Sequence, residues 1–293
     1  MTTTQPIGAP DASHPSNAAI DYLVVVGGGR MGGAIAGGVI GQGLIGAESV
    51  IVVNPGTERC DELRASLGVR CVGSLTQARD LFLADAPAAP CILLAVKPQV
   101  LPSVLPEVDV AFPGVLAASV AVGIDTQTIE DVLASGSHVV KVMPNTPAMV
   151  GEGMAVVSGG SRATEADVAA VTSLFIALGA AVIVDESLQN VSSAISGSGP
   201  AYFALIVRGL EDAGVARGLD RATARELAVA TMVGTGRLFT ERGLEPNELM
   251  QQVASPGGTT LAALGVLEGG DLTGLLDRAV GAAIARAEEL GSR

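Results

Sequence analysis

Short apolar runs alternate with helix-patterned stretches through the first part of the chain. The runs at 22–26, 49–53, 90–96, 115–121, 138–142, 154–158 and 180–184 have almost no polar face, as strands buried on both sides do. Between most of them lie segments of helical spacing, as around 32–43, 57–67, 125–134 and 164–178. This alternation predicts an α/β unit with a mostly parallel, doubly wound sheet. After Asp185 the pattern changes, and no strand is expected. Helices are predicted at about 199–217, 220–242, 246–253, 259–268 and 271–290, with turns at Gly218, Gly243 and Gly269-Gly270. Alanine and leucine dominate these helices, and so many apolar positions predict packing against a second copy of the chain.

The first strand runs into Gly27-Gly28-Gly29-Arg30-Met31-Gly32, and an apolar helix pattern follows. The spacing Gly27-x-Gly29-x-x-Gly32 after a strand and before a helix is a pyrophosphate seat. The first glycine allows the tight turn, the second lets the backbone touch phosphates, and the third lets helix and strand pack closely. Free N–H groups and the dipole at the helix start favour the anion. In a chain with 38 glycines a chance glycine turn is the competing reading. The expected organisation is a disordered leader over 1–18, a Rossmann-like domain over 19–184, and an all-α substrate and dimerisation domain over 185–293.

The second strand ends in Asn54-Pro55-Gly56-Thr57-Glu58-Arg59. A carboxylate at this tip would select the 2′-hydroxyl of NAD, whereas an amide leaves room for the 2′-phosphate of NADP. Asn54, Thr57 and Arg59 are candidate phosphate contacts, with Glu58 working against them. The alternative is an ordinary turn capped by Thr57. NADPH is the expected cofactor, with NADH as the alternative. The run at 90–96 leads into Lys97-Pro98, so Lys97 either faces the cofactor or caps the sheet edge.

Composition narrows the function classes. A length of 293 residues allows about two domains. The mean hydropathy of +0.49 raises the question of a membrane. The longest uncharged run near the start, Met31–Ala47, is glycine-rich and shorter than the ~20 apolar residues of a spanning helix. The net charge of −13 argues against nucleic-acid or acidic-membrane partners. Cys60, Cys71 and Cys91 have no C-x-x-C spacing and are expected in or near the core as small apolar residues. Their odd number, with no signal peptide, predicts a reducing, cytoplasmic setting. His14 falls in the leader, and His138 is expected to open a strand structurally. No metal site is expected.

Three further motifs complete the picture: Met143-Pro144-Asn145-Thr146-Pro147, Ser196-Gly197-Ser198-Gly199-Pro200-Ala201-Tyr202 and Ser255-Pro256-Gly257-Gly258-Thr259-Thr260. With the Gly27 fingerprint and Ala95-Val96-Lys97-Pro98, the sequence resembles pyrroline-5-carboxylate reductases over about residues 21–290. The resemblance implies NADPH-dependent reduction of the cyclic imine 1-pyrroline-5-carboxylate to L-proline, the last step of proline biosynthesis. It also implies a homodimer interlocked through its helical domain and assembled into a larger homo-oligomer. It places cofactor contacts at Gly27, Gly29, Arg30, Met31, Gly32, Asn54, Ala95, Val96, Lys97 and Pro98, and at Val120, Ala121 and Val122 beside the nicotinamide. Substrate contacts fall at Gly257, Gly258, Thr259 and Thr260, together with Glu186 and Gln252. The chain departs from the family pattern at Arg30, where Asn or Gln is usual, at Gly73-Ser74-Leu75, where Asn is frequent, and at Gln252, where Asn occurs.

A protonated cyclic imine already accepts hydride well, so a protein without a catalytic histidine or cysteine is compatible with the chemistry. In the Ser255–Thr260 segment, two glycines, two hydroxyls and several N–H groups meet at a predicted helix start, which suits a carboxylate. Thr260 is the candidate catalytic residue, placed to hand a proton to the ring nitrogen. Taken on residues alone, the segment reads first as a helix cap built on a Ser-Pro turn. Two other functions are weighed. A β-hydroxyacid dehydrogenase would carry a lysine where Phe203 stands, and no lysine follows Lys141. A non-catalytic NADP-binding sensor would keep the fingerprint but have no use for the Gly-Gly-Thr-Thr segment.

Overall fold

The apolar runs become strands because both of their faces are covered. The computed structural model describes residues 20–291, so the expected leader at 1–18 and His14 lie outside the described residues. Eight strands form one sheet: β1 (Tyr22–Val26), β2 (Val50–Val53), β3 (Arg70–Val72), β4 (Pro90–Leu94), β5 (Leu116–Ser119), β6 (His138–Met143), β7 (Gly153–Gly159) and β8 (Gly179–Ile183). Their spatial order is β3-β2-β1-β4-β5-β6-β7-β8. Every neighbouring pair is parallel except β6 and β7, which run antiparallel.

Six helices cover the sheet: α1 (Arg30–Gly41), α2 (Thr57–Leu67), α3 (Leu75–Asp85), α4 (Leu101–Ala111), α5 (Thr126–Glu130) and α6 (Glu165–Ile176). Alternation along each strand divides the core in two. Leu23, Val25, Val52, Leu93 and Val140 pack with Ile35 and Val39 of α1, Leu63 of α2 and Phe175 of α6. Val24, Ile51, Ile92, Leu94 and Val139 pack with Ala78 of α3, Leu101 and Leu105 of α4 and Ile129 of α5. The doubly wound expectation is thus met.

Elements missing from the sequence reading have local causes. β3 has three residues, too few for a periodicity. In α4, Pro102 sits in the first turn, where a missing N–H is harmless, but Pro106 lies inside the helix and masks it. α7 (Gln189–Ser196) is hidden by its polar residues. The Gln189 side chain donates to the Val156 carbonyl at 3.2 Å and to Ser158 Oγ at 2.8 Å, which anchors the start of α7 on β7.

The cysteines require a correction. All three are buried, as expected, but Cys60 of α2 and Cys71 of β3 are joined as a disulfide, and only Cys91 is free. Eleven residues separate the two partners in sequence, and α2 lies back along β3, which brings them together. Burial pushes the Cys91 thiol up to about 12, so it is an inert core residue.

Contacts divide the chain into two compact units. One runs to Pro200 and includes the chain from Gly281 onward; the other is Ala201–Val280. The helices after α7 are α8 (Gly199–Val215), α9 (Arg221–Arg242), α10 (Pro246–Val253), α11 (Thr259–Gly269) and α12 (Leu272–Gly291), close to the predicted bounds. Asp220 caps α9 by accepting from the Thr223 amide, and Gly243 ends it in the left-handed conformation. Glu211 of α8, 4% exposed, is held by Arg221 at 2.5 Å and Arg225 at 3.0 Å. Many large apolar side chains here stay uncovered, among them Phe203 and Leu205 at 58% exposure. Among the described residues no helix is long and apolar enough to cross a membrane.

Candidate functional site

The sheet order reverses at β1, whose neighbours are β2 and β4, and this opens a crevice at the C-terminal ends of the strands. The residues expected to hold the cofactor lie at this edge, on the loops after β1, β2, β4 and β5 and in the first turn of α1. Gly27 follows β1 with φ +111°, and its amide donates to the Val53 carbonyl at 3.0 Å. A Cβ here would meet the Ala95 carbonyl oxygen at 2.6 Å, and one at Gly32 would run into the Gly27 carbonyl. Gly29 is the N-cap of α1 and makes no side-chain cap bond. A Cβ on Gly29 would meet nothing within 4 Å. The first N–H groups of α1, at Arg30, Met31 and Gly32, therefore have no side-chain partner at the cap, and Gly29 leaves open space beside them. The cradle fits a pyrophosphate.

Asn54 extends β2, and its backbone N–H donates to the Val72 carbonyl at 2.9 Å. Its side-chain Nδ2 donates to the Gly56 carbonyl at 3.1 Å. Gly56, not Thr57, is the N-cap of α2, so Thr57 is not the cap. The Arg59 Nε donates to the Gly28 carbonyl at 2.7 Å, which ties α2 to the glycine turn. The Ala95 amide donates to the Val26 carbonyl at 2.8 Å, and the Val120 amide to the Leu94 carbonyl at 3.1 Å. The segments Ala95–Pro98 and Val120–Val122 therefore stand side by side on the tips of β4 and β5. Lys97 is exposed and Val122 is 42% exposed. A cleft of about 580 Å³ runs along α1 and is lined by Arg30, Arg59, Gly37 and Met149. It touches neither of these two segments.

In the helical unit, Gly257 has φ +71°, a backbone conformation that suits glycine. The Gly258 amide donates to the Ser255 carbonyl at 2.9 Å, and Gly258 is the N-cap of α11 without a side-chain cap bond. Thr259 and Thr260 are the first residues of that helix. Their N–H groups face the open end of a helix of 11 residues, an anion seat by geometry. Gln252 is exposed on α10 and donates to Glu248 at 3.2 Å.

Glu186 lies in the unit that holds the sheet, after β8. It accepts from the Thr126 amide at 2.8 Å and from Thr126 Oγ1 at 2.5 Å. Lys141 Nζ is 3.8 Å from its Oε1. The sequence signal for Lys141 is a lone lysine inside the apolar run Val139-Val140-Lys141-Val142, and spacing alone does not connect it to Glu186. Burial pushes its ammonium below the ordinary lysine value, against the pull of Glu186 and Asp125. Asn145 is a tether: its Nδ2 donates to the Ser196 carbonyl at 3.0 Å, and its Oδ1 accepts from the Met154 amide at 2.8 Å. His138 opens β6 as expected, with Nδ1 2.8 Å from Asp167.

Comparison with known proteins agrees with this layout. Residues 186–290 match the family model for pyrroline-5-carboxylate reductase dimerisation, and residues 22–123 match that for NADP oxidoreductase, coenzyme F420-dependent. A crystal structure of a Plasmodium falciparum pyrroline carboxylate reductase with NADP bound has a TM-score of 0.80 at 28% identity, covering 92% of this chain and 98% of that one. The Coxiella burnetii pyrroline-5-carboxylate reductase superposes with a TM-score of 0.84 at 33% identity, with the same coverage. A pyrroline-5-carboxylate reductase from Corynebacterium melassecola is 38% identical over 273 residues, 92% of this chain and 98% of the relative. With that identity over nearly the whole of both proteins, the chain belongs to the pyrroline-5-carboxylate reductase family.

Proposed function

We propose that the chain reduces 1-pyrroline-5-carboxylate to L-proline with NADPH. Hydride goes to the imine carbon, a proton goes to the ring nitrogen, and NADP⁺ is released. The observation that carries this is the assembly of the Gly27–Gly32 turn, Asn54, Ala95–Pro98 and Val120–Val122 on one sheet edge. NADPH, when bound there, supplies the hydride. The α1 N–H groups hold its pyrophosphate and Arg30 adds a cation. Asn54 accepts a 2′-phosphate without charge repulsion, and Val120–Val122 form an apolar wall for the nicotinamide.

The substrate carboxylate is assigned to the amides of Gly258, Thr259 and Thr260, with Gly257 allowing close approach and Gln252 assigned to the same ligand. The Thr260 hydroxyl is assigned the proton to the ring nitrogen. Glu186, expected at the substrate, accepts two hydrogen bonds from Thr126, and we assign it to that contact. Functionally we divide the chain into a cofactor domain over 19–184 and a substrate and dimerisation domain over 185–293, a division supported by the start of the dimerisation match at 186. The exposed apolar helix faces support a dimer that builds a larger ring-like homo-oligomer, which light scattering on a sizing column measures. A cytoplasmic location belongs to the same reading, since the reaction draws on a pool of reduced dinucleotide; cell fractionation checks it.

The test is to mix purified protein with NADPH and pyrroline-5-carboxylate and follow the cofactor's absorbance, with NADH and a set of β-hydroxyacids with NADP⁺ in parallel. Oxidation of NADPH with the imine alone is expected. Turnover of a hydroxyacid without imine reduction, or cofactor binding with no turnover at all, overturns the proposal.

A further inference from the structure

Val120–Val122, assigned to the nicotinamide wall, are fixed at both ends by contacts outside the cofactor site. This segment is part of the stretch from Ser119 to Thr126, which leaves β5, turns at Gly123 with φ +77° and enters α5. Its first end is fixed by the sheet, with Ser119 wholly buried and paired in register with Lys141. Its far end is gripped by one carboxylate sixty residues away: Glu186 takes both the amide and the hydroxyl of Thr126. Lys141, 5% exposed and in register between Ser119 and Ser158, is the ammonium beside that carboxylate. Gln189, three residues beyond Glu186 and 1% exposed, pins the start of α7 to β7. An ammonium buried in an apolar strand is costly, and replacing a whole buried ion pair by apolar residues of similar volume is often neutral or stabilising. The same carboxylate accepts both Thr126 donors and lies 3.8 Å from the Lys141 ammonium, so one part-buried contact joins β6, the start of α5 and the chain after β8.

We propose that Lys141 and Glu186 are positioning residues for hydride transfer: the buried pair clamps Thr126 and thereby sets the backbone of Val120–Val122 against the nicotinamide. This rests on the proposed reductase reaction, and it predicts a defect in turnover and loop order without a matching defect in cofactor affinity. The experiment uses the full-length protein as Lys141→Met, Lys141→Arg, Glu186→Gln and the Lys141→Met/Glu186→Gln double variant. Three quantities are read: kcat, the NADPH dissociation constant, and amide hydrogen exchange of the cofactor-free protein over 120–126.

Lys141→Met and Glu186→Gln are each expected to lower kcat about tenfold, with the NADPH dissociation constant within about twofold. The double variant is expected to be no worse than either single one, and Lys141→Arg to return most of the rate. Exchange over 120–126 is expected to rise about tenfold while β1 stays protected. Should Lys141→Met fail to fold, Glu186→Gln, whose side chain is isosteric and 27% exposed, carries the same readings. Losses that multiply in the double variant, unchanged exchange over 120–126, or full turnover in Glu186→Gln overturn the proposal. A wild-type protein with no imine reduction overturns the reaction reading instead, and the exchange measurement still decides whether the clamp exists.

Discussion

Single residues at the strand tips decide which dinucleotide fits. Asn54 is a neutral amide on the extension of β2, with its Nδ2 turned to Gly56. Replacing it with aspartate would place a negative charge where the 2′-phosphate is assigned. Asn54→Asp is therefore expected to weaken NADPH binding by about tenfold or more and to leave NADH little changed, as fluorescence titration with both cofactors reads. Thr260 presents the opposite case, a residue assigned to chemistry rather than to the cofactor. Thr260→Ala is expected to lower kcat by at least about tenfold with NADPH affinity unchanged, and unchanged turnover would remove its hydroxyl from the proton transfer.

Among the elements, α6 shows how local sequence sets a helix start. Thr164 accepts from the Asp167 amide while Asp167 accepts from the Thr164 amide and hydroxyl, a reciprocal capping box. Thr164→Ala is expected to cost about 1 kcal/mol by thermal or denaturant unfolding. Burial works to raise the Asp167 carboxyl, but the Thr164 bonds and His138 outweigh it and hold the group below the ordinary carboxylate value. A carboxyl depressed in the folded state contributes its stability above the unfolded value and loses it as pH falls through the folded one. Asp167→Asn is thus expected to flatten the acid side of the stability–pH curve, with least effect at the acid extreme.

Such elements also show what the sequence discloses. Gly27–Gly32 and the bounds of α2, α9 and α10 were legible because turn glycines and caps act locally. β3 was too short, α4 carried an internal proline, and the Lys141–Glu186–Thr126 contact joins residues whose proximity only sheet pairing creates. The expected substrate residues divide in the same way. Gly257–Thr260 announce a helix start in their own spacing, whereas the two bonds that Glu186 accepts from Thr126 depend on the order of β5 to β8.

For the whole molecule, the helical unit leaves side chains such as Phe203, Leu227 and Leu275 about half exposed or more. Residues 186–290 match a family model for dimerisation, and exposed apolar faces of this kind suit a second subunit. Stability should then depend on mass action: the unfolding midpoint is expected to rise with protein concentration, and calorimetry over a wide dilution series checks it. The covalent topology of the chain also departs from a simple line. Cys60 and Cys71 are bonded across a stretch that contains Arg64 and Arg70. Digestion of the alkylated, unreduced protein with trypsin should therefore release Cys60–Arg64 and Cys71–Arg79 as a single branched species in the mass spectrum. Adding a phosphine reductant before the protease should replace that mass with two linear peptides, and finding the linear pair at the outset would show the thiols to be free in solution.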